Sequence, residues 1–251
     1  MFIRKVNLMT TTFEPIITFN NVTFSDRNVP IIKNLSGSFA KGKITTLVGP
    51  SGAGKTTLFR LCNRLISPNS GQITINNKPI EQYDPIILRR KIGLALQSAT
   101  MLSGSVYKNL SLPLTLKGET LPKDDAKELL EDVSLGKDFL NRNINDLSGG
   151  QKQKVSIART LVNRPNVLLL DEITSSLDRI SQHEIEELIQ KINQKYGTTI
   201  IWITHNLNQA LSIGDYSWVM MAGEVIETGK SEFLNNPKDE RVKRFIKGDL
   251  E

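Results

Sequence analysis

The sequence predicts an α/β fold, with a parallel sheet covered by helices, an antiparallel β region and a helical insertion. Three observations carry this. Lys43 to Val48 reads as a buried strand, and Val167 to Leu170 and Ile200 to Ile203 are runs of four apolar residues in succession, which suit a strand buried on both faces. Each run stops at residues with chemistry: Gly49 after the first, Asp171-Glu172 after the second, Thr204-His205 after the third. Apolar residues at helical spacing lie between them, namely Leu58, Leu61, Cys62, Leu65 and Ile66, and then Val155, Ile157, Ala158 and Leu161, ending before Pro165.

Residues 14 to 48 read as antiparallel strands. Gly71 to Ile75 adds another after the turn signal Ser67-Pro68-Asn69-Ser70, and the chain continues as sheet to Gln97. From Met101 to Leu147 the pattern turns helical, with breaks at Pro113, Gly118 and Pro122, and a helix carrying Ala126, Leu129, Leu130 and Val133. Ser181-Gln182-His183-Glu184 has the spacing of a capping box opening a polar-faced helix. Trp218 to Ile226 reads as a closing hairpin, and Glu240 to Ile246 as a last helix.

Gly49-Pro50-Ser51-Gly52-Ala53-Gly54-Lys55-Thr56-Thr57 fills every fixed position of a phosphate-binding loop, between a strand and a helix. Glycine is needed where the chain turns tightly and its bare N–H groups approach an anion, which the helix N-terminus also favours. Lys55 is expected to reach the β- and γ-phosphates and the Thr56 hydroxyl to sit on Mg²⁺, with Thr57 a neighbouring donor. Asp171 and Glu172 end a buried strand, where ligands bind in open α/β sheets. Asp171 is the candidate for the Mg²⁺ shell, and Glu172 for orienting and polarising the attacking water. Of the two histidines, His183 reads as a surface side chain; His205 leaves a buried strand on the same sheet edge as Glu172 and is a candidate γ-phosphate contact.

Leu147-Ser148-Gly149-Gly150-Gln151 precedes Asp171-Glu172 by twenty residues, and both follow the P-loop. Together, in this order, the three resemble the ATP-binding subunit of an ABC transporter, over roughly residues 14 to 246. The resemblance implies a P-loop NTPase (RecA-like) core with an antiparallel β subdomain and an inserted helical subdomain at approximately residues 98–150. These form one ABC ATPase domain at residues 13–251, after an N-terminal extension at 1–12. It implies ATP and Mg²⁺ as cofactors. Gln97 matches the glutamine that couples the nucleotide to a membrane partner, and joins Thr56 and Asp171 as a Mg²⁺ ligand and Lys55, Glu172 and His205 in catalysis. Ser148, Gly149, Gly150 and Gln151 match the signature that caps ATP held by the opposite subunit. Asp178, in Ser176-Leu177-Asp178, matches the loop between the two ATP sites. Such subunits work as an ATP-sandwich homodimer beside a polytopic membrane permease, at the cytoplasmic face of the membrane. The stretch from Asp171 to Asp178 and the Trp202-Ile203-Thr204-His205 run look most like a small bacterial subgroup described as iron-exporting or phosphate-transporting.

The chain departs from the family pattern at several positions. Where an aromatic residue usually stacks on adenine it has Asp26, with Phe24 two residues earlier, which serves only if the first hairpin is shortened. Ile173, Ser176 and Lys154 stand where proline, alanine and arginine are usual, and Lys154 keeps the charge but gives up the planar fork.

Composition fits a protein that partners a membrane complex. The 251 residues suffice for one α/β domain with a sizeable core. The single cysteine, Cys62, excludes an intramolecular disulfide and sits on the apolar face of its helix. The net charge of +6 and pI near 9.3 come from scattered basic residues without an aromatic-interleaved stripe, which reads as a solvated surface with some attraction to anionic lipid headgroups rather than as a nucleic-acid site. No run is long enough to cross a bilayer, residues 1–12 make a poor signal peptide, and Met9 is a candidate start. A transport pore is therefore expected on another chain. The stretch between Gln97 and Ser148 is too short for the coiled coil of DNA- or ribosome-acting relatives. Two readings remain: an ATPase energising solute transport, or one driving a mechanical membrane complex for lipoprotein release or a cell-wall process. Met101, Leu102, Val106, Tyr107 and Leu110, interrupted by Gly104, are the expected permease-docking segment.

Overall fold

The computed structural model describes residues 13–249. The expectations placed on residues 1–12 lie outside that range. β1 (Pro15–Asp26) and β2 (Val29–Ala40) form an antiparallel hairpin whose turn, Arg27-Asn28, has both φ angles positive, at 48° and 67°. Paired positive φ values match the twist of the flanking strands. β3 (Ile44–Val48) leaves this sheet, contrary to the antiparallel reading of residues 14 to 48. It pairs in parallel with two later strands, and all five of its residues are buried. Its two polar residues, Thr45 and Thr46, are buried with the rest, and the Thr46 hydroxyl shares a hydrogen bond with that of Ser217 at 2.7 Å.

α1 (Lys55–Cys62) follows the P-loop and buries Leu58, Phe59, Leu61 and Cys62. β4 (Ser70–Ile75) and β5 (Lys78–Pro79) return to β1 and complete a four-stranded sheet in the order β2-β1-β4-β5. The chain does not then remain sheet: α2 (Pro85–Lys91) intervenes before β6 (Ile92–Ala95). Its start has a local cause, because the Asp84 carboxylate accepts from the N–H groups of Ile86 and Ile87 and Pro85 occupies the first turn.

α3 (Val106–Thr115) and α4 (Lys123–Asp132) build the helical insertion. Pro113 lies inside α3 rather than breaking it, and the Leu116 N–H still reaches the Leu112 carbonyl. Pro122 does mark a boundary, as the residue that precedes α4. The insertion docks on the core through Asp132, whose buried carboxylate accepts from the Tyr196 hydroxyl and from Lys195 Nζ at 2.5 Å.

α5 (Gly149–Leu161) returns to the core, followed by β7 (Val167–Asp171), α6 (Arg179–Tyr196), β8 (Thr199–Ile203) and α7 (Leu207–Ile213). Asp178 caps α6, not the Ser181 capping box expected from spacing: its Oδ1 accepts from the N–H groups of Ile180 and Ser181. β9 (Tyr216–Met221), β10 (Glu224–Lys230) and α8 (Glu240–Ile246) close the chain. The second sheet runs β10-β9-β3-β8-β7-β6, parallel except for β10.

One face of that sheet packs on α5, α6 and the insertion, around Leu168, Leu170, Ile200 and Trp202. The other packs on α1 and the antiparallel sheet through Leu47, Leu169, Ile201 and Ile203, and Phe39 meets Trp218 with ring centroids 4.5 Å apart. Cys62 is fully buried, and burial pushes its thiol pKa up. The expected docking segment divides. Val106 and Leu110 are core, Met101 and Tyr107 are half-buried with the Tyr107 hydroxyl donating to the Leu121 carbonyl at 2.7 Å, and Leu102 is exposed. Leu110→Ala is therefore expected to cost about 2–5 kcal/mol, as for other buried leucines. Urea unfolding measures it, and an unchanged midpoint would return Leu110 to the surface.

Candidate active site

β8 lies between β3 and β7, so the residues that follow these three parallel strands emerge side by side. After β3, Gly49 has φ 147°, and a Cβ there would sit 2.0 Å from the Met220 carbonyl oxygen. No other residue fits so close to β9. Gly54 precedes α1 at φ 96°, with the Ile31 carbonyl oxygen 3.0 Å from where its Cβ would stand. The turn therefore keeps the bare backbone that a phosphate cradle needs. Ser51 and Gly52 are exposed, Ala53 is buried and Thr57 is half-buried.

Lys55 is buried, and its Nζ donates to the carbonyls of Gly49 at 2.7 Å and Pro50 at 2.9 Å. Burial lowers its pKa, against the opposing pull of Glu172 and Asp171. The Thr56 hydroxyl donates to Asp171 Oδ1 at 3.3 Å, which brings two hard oxygen donors together at the end of β7. Burial raises the Asp171 pKa, the Thr56 bond opposes that, and the neighbouring Glu172 charge adds to it.

Glu172 takes φ 51°, a left-handed conformation uncommon outside glycine. Its N–H donates to the Ile203 carbonyl at 3.1 Å, and its carbonyl accepts from the Ser175 N–H at 3.1 Å and hydroxyl at 2.9 Å. Its Oε1 lies 2.6 Å from Nε2 of His205, which follows β8 by two residues. With the carboxylate ionised, Nε2–H is the donor. Lys55, Thr56, Asp171, Glu172 and His205 thus gather at one edge of the sheet.

The remaining candidates make no side-chain hydrogen bond to this cluster among the described residues. Gln97 is exposed, two residues past β6, and its side chain makes no hydrogen bond among the described residues. The backbone beside it is held by α5: Gln153 Nε2 donates to the Leu96 carbonyl at 3.2 Å and Arg159 to that of Thr100 at 2.9 Å. Ser148 caps α5 in a reciprocal box, accepting from the Gln151 N–H while its own N–H donates to Gln151 Oε1 at 3.0 Å. The carboxylate of Asp178 is engaged in capping α6 and also accepts from the Ser181 hydroxyl at 2.7 Å, bonds that lower its pKa. Asp26 is exposed at the two-residue hairpin turn, whereas Phe24 is half-buried against the core.

Two glutamines outside the sequence motifs steady the loop after Glu172. Gln182 Nε2 donates to the carbonyls of Thr174 at 3.1 Å and Leu177 at 3.0 Å, and Gln209 Nε2 to Thr174 Oγ1 at 3.3 Å and Glu186 at 2.7 Å. Glutamine on a helix reads as solvated, and only the tertiary fold reveals these partners.

A family model described as ABC transporter matches residues 32–175, more than half of the chain and inclusive of the P-loop, the Ser148 turn and Asp171-Glu172. The chain belongs to the ABC transporter family. It is 39% identical over 249 residues to the phosphate import ATP-binding protein PstB 2 of Lactobacillus johnsonii, covering 94% of this chain and 98% of that protein. The structure of cbiO1 from Clostridium perfringens, part of the ABC transporter complex cbiONQ, superposes with a TM-score of 0.82 at 30% identity, over 92% of this chain and 94% of that one. A dimeric structure of the bacterial ABC transporter cassette MJ0796 gives 0.75 at 31% identity, over 86% and 99%. The chain is thus an ABC-type ATPase with a P-loop NTPase fold. Among the described residues, no helix is long and apolar enough to cross a membrane.

Lys55→Ala in this ABC ATPase is expected to weaken ATP binding at least tenfold, on the scale of about 1.5–3 kcal/mol for hydrogen bonds to a charged group. Equal affinity of variant and parent in a fluorescence titration would remove Lys55 from the binding site.

Proposed function

We propose that this ATPase energises solute movement by a separate membrane permease, through an ATP-sandwich homodimer at the cytoplasmic face of the membrane. One observation carries the reading. The cluster of Lys55, Thr56, Asp171, Glu172 and His205 is built within one chain, whereas the Ser148 turn lines a different cavity, with Ser181 and Glu184 rather than with the P-loop. A signature turn without a nucleotide site of its own is explained by a partner that supplies one, and the MJ0796 cassette is described as a dimer.

The P-loop residues would then hold the ATP phosphates, Lys55 exchanging the Gly49 and Pro50 carbonyls for phosphate oxygens. Thr56, Asp171 and Gln97 are the groups assigned to Mg²⁺, and the facing oxygens of Thr56 and Asp171 suit a hard cation. Bound there, Mg²⁺ would neutralise charge on the phosphates. Glu172 would orient water and accept its proton, and His205, its ring half-exposed, holds the Glu172 carboxylate. Ser148, Gly149, Gly150 and Gln151 would close the partner's nucleotide with N–H groups at the start of α5.

Glu172→Gln keeps the amide in place to hold water but cannot take up its proton. It is expected to bind ATP like the parent and to lose roughly 100-fold or more in kcat, the scale of general-base loss. Size-exclusion chromatography with ATP and Mg²⁺ should show it as a dimer; a monomer there would sink the sandwich model.

The permease contact is assigned to exposed apolar residues between the start of α2 and the start of α3. Ile86 is 60% exposed, Ile87 49%, Leu96 47% and Leu102 41%, and apolar side chains so open to water suit a partner's apolar surface. Leu102→Asp is expected to change stability by no more than about 0.5 kcal/mol, as at other surface sites. ATP affinity should be unchanged, while stimulation of hydrolysis by the permease in membranes is lost. Full stimulation in that variant would move the contact elsewhere.

A further inference from the structure

The first turns of α5 and α6 lie against each other. A Cβ on Gly149 would stand 3.6 Å from Leu177 Cδ2, and one on Gly150 would stand 3.1 Å from Ser181 Oγ. One turn further along, Lys154 Nζ donates to Glu184 Oε2 at 2.8 Å. The Lys154 side chain is 9% exposed and that of Glu184 52%, so the ammonium is withdrawn from water while the carboxylate stays wet. Ser148, Gly150, Gln151, Lys154, Ser181 and Glu184 line one cavity of about 370 Å³.

We propose that Lys154 is a positioning residue for the Ser148 turn. It touches no reacting atom on this reading; it ties α5 to α6. A buried ammonium needs a hydrogen-bonding anion, and of its contacts Glu184 supplies it, from the helix that Asp178 begins. Asp178 and Ser181 fix the first turn of α6, Gly150 rests on Ser181, and the ion pair stops the two helices from sliding along each other. The turn offered to a partner's nucleotide and the loop running from this chain's own Glu172 then move as one body. A glycine at 150 serves that contact as much as it serves a phosphate.

The inference rests on the sandwich reading, so the test is made in the Glu172→Gln chain, where ATP holds the dimer. Lys154→Met and Glu184→Gln are each expected to weaken ATP-driven dimerisation about tenfold, within the range of coupling between contacting residues. Neither should alter ATP binding to the monomer, because the P-loop is not involved. The double variant should fall no further than either single one, and Lys154→Arg should restore most of the loss. Additive losses, or a loss in Lys154→Met with none in Glu184→Gln, would overturn the proposal and leave Lys154 acting alone on the nucleotide. Unchanged dimerisation in both would also overturn it. If Lys154→Met does not fold, Glu184→Gln and Lys154→Arg carry the test. A Glu172→Gln parent that fails to dimerise would instead sink the sandwich reading.

Discussion

The site depends on one row of backbone pairs across three parallel strands, in which Leu47 of β3 faces Ile203 of β8 and Ile203 faces Asp171 of β7. The Thr204 N–H donates to the Leu47 carbonyl and the Glu172 N–H to that of Ile203, both at 3.1 Å, which carries the row one residue beyond the sheet. From that line the P-loop, the carboxylate pair and His205 leave on the same edge. A slip of one residue in any strand would turn its side chains to the opposite face and bring Asp171 and Thr56 apart. The slip is prevented by burial, since each face of these strands packs into a different apolar cluster.

The same burial sets the charges against their environment. Burial works against the charge on both groups, lowering the Lys55 pKa and raising that of Asp171. For Asp171, the raised value means that its contribution to stability is full below the pKa of the unfolded chain and is lost as pH rises through the folded value. For Lys55, the lowered value means a contribution lost as pH falls through the folded value. Between those limits both groups are charged at a cost to the fold, and each partly relieves the other. On the proposed function, phosphate and cation complete that relief, so ligand binding and stability rise together.

Much of this was legible in the sequence, for definite reasons. The P-loop, Asp171-Glu172 and His205 each stand at the end of an apolar run, and the edge of a parallel sheet brings such ends together whatever the details of the helices between. What escaped depended on partners far along the chain. β3 reads like its antiparallel neighbours until β8 and β9 claim it, and α2 was hidden although Asp84-Pro85 carries the signal of a helix start. Pro113 reads as a break, yet α3 carries it near its C-terminal end. Ser181 has the right spacing to cap a helix, but Asp178 stands three residues earlier and accepts from two N–H groups. Val106 and Leu110 look like a docking stripe and are core, because α5 and α4 cover them.

Glu172 shows how that scaffold aims a side chain. A left-handed φ in a non-glycine residue costs of order 1–3 kcal/mol and persists only where its surroundings over-determine it. Here they do: the N–H is fixed to β8, the carbonyl to Ser175, and the following Ile173 and Thr174 are buried, with Gln182 and Gln209 gripping Thr174. The direction in which the carboxylate leaves the backbone is thus a property of the sheet edge and the loop, before any rotamer is chosen. His205 needs only to close the last 2.6 Å. Because the aim is a backbone property, it is the same whether residue 172 ends in a carboxylate or an amide, and what separates the two is the side chain's charge, its hydrogen bond to His205 and its capacity to take up a proton.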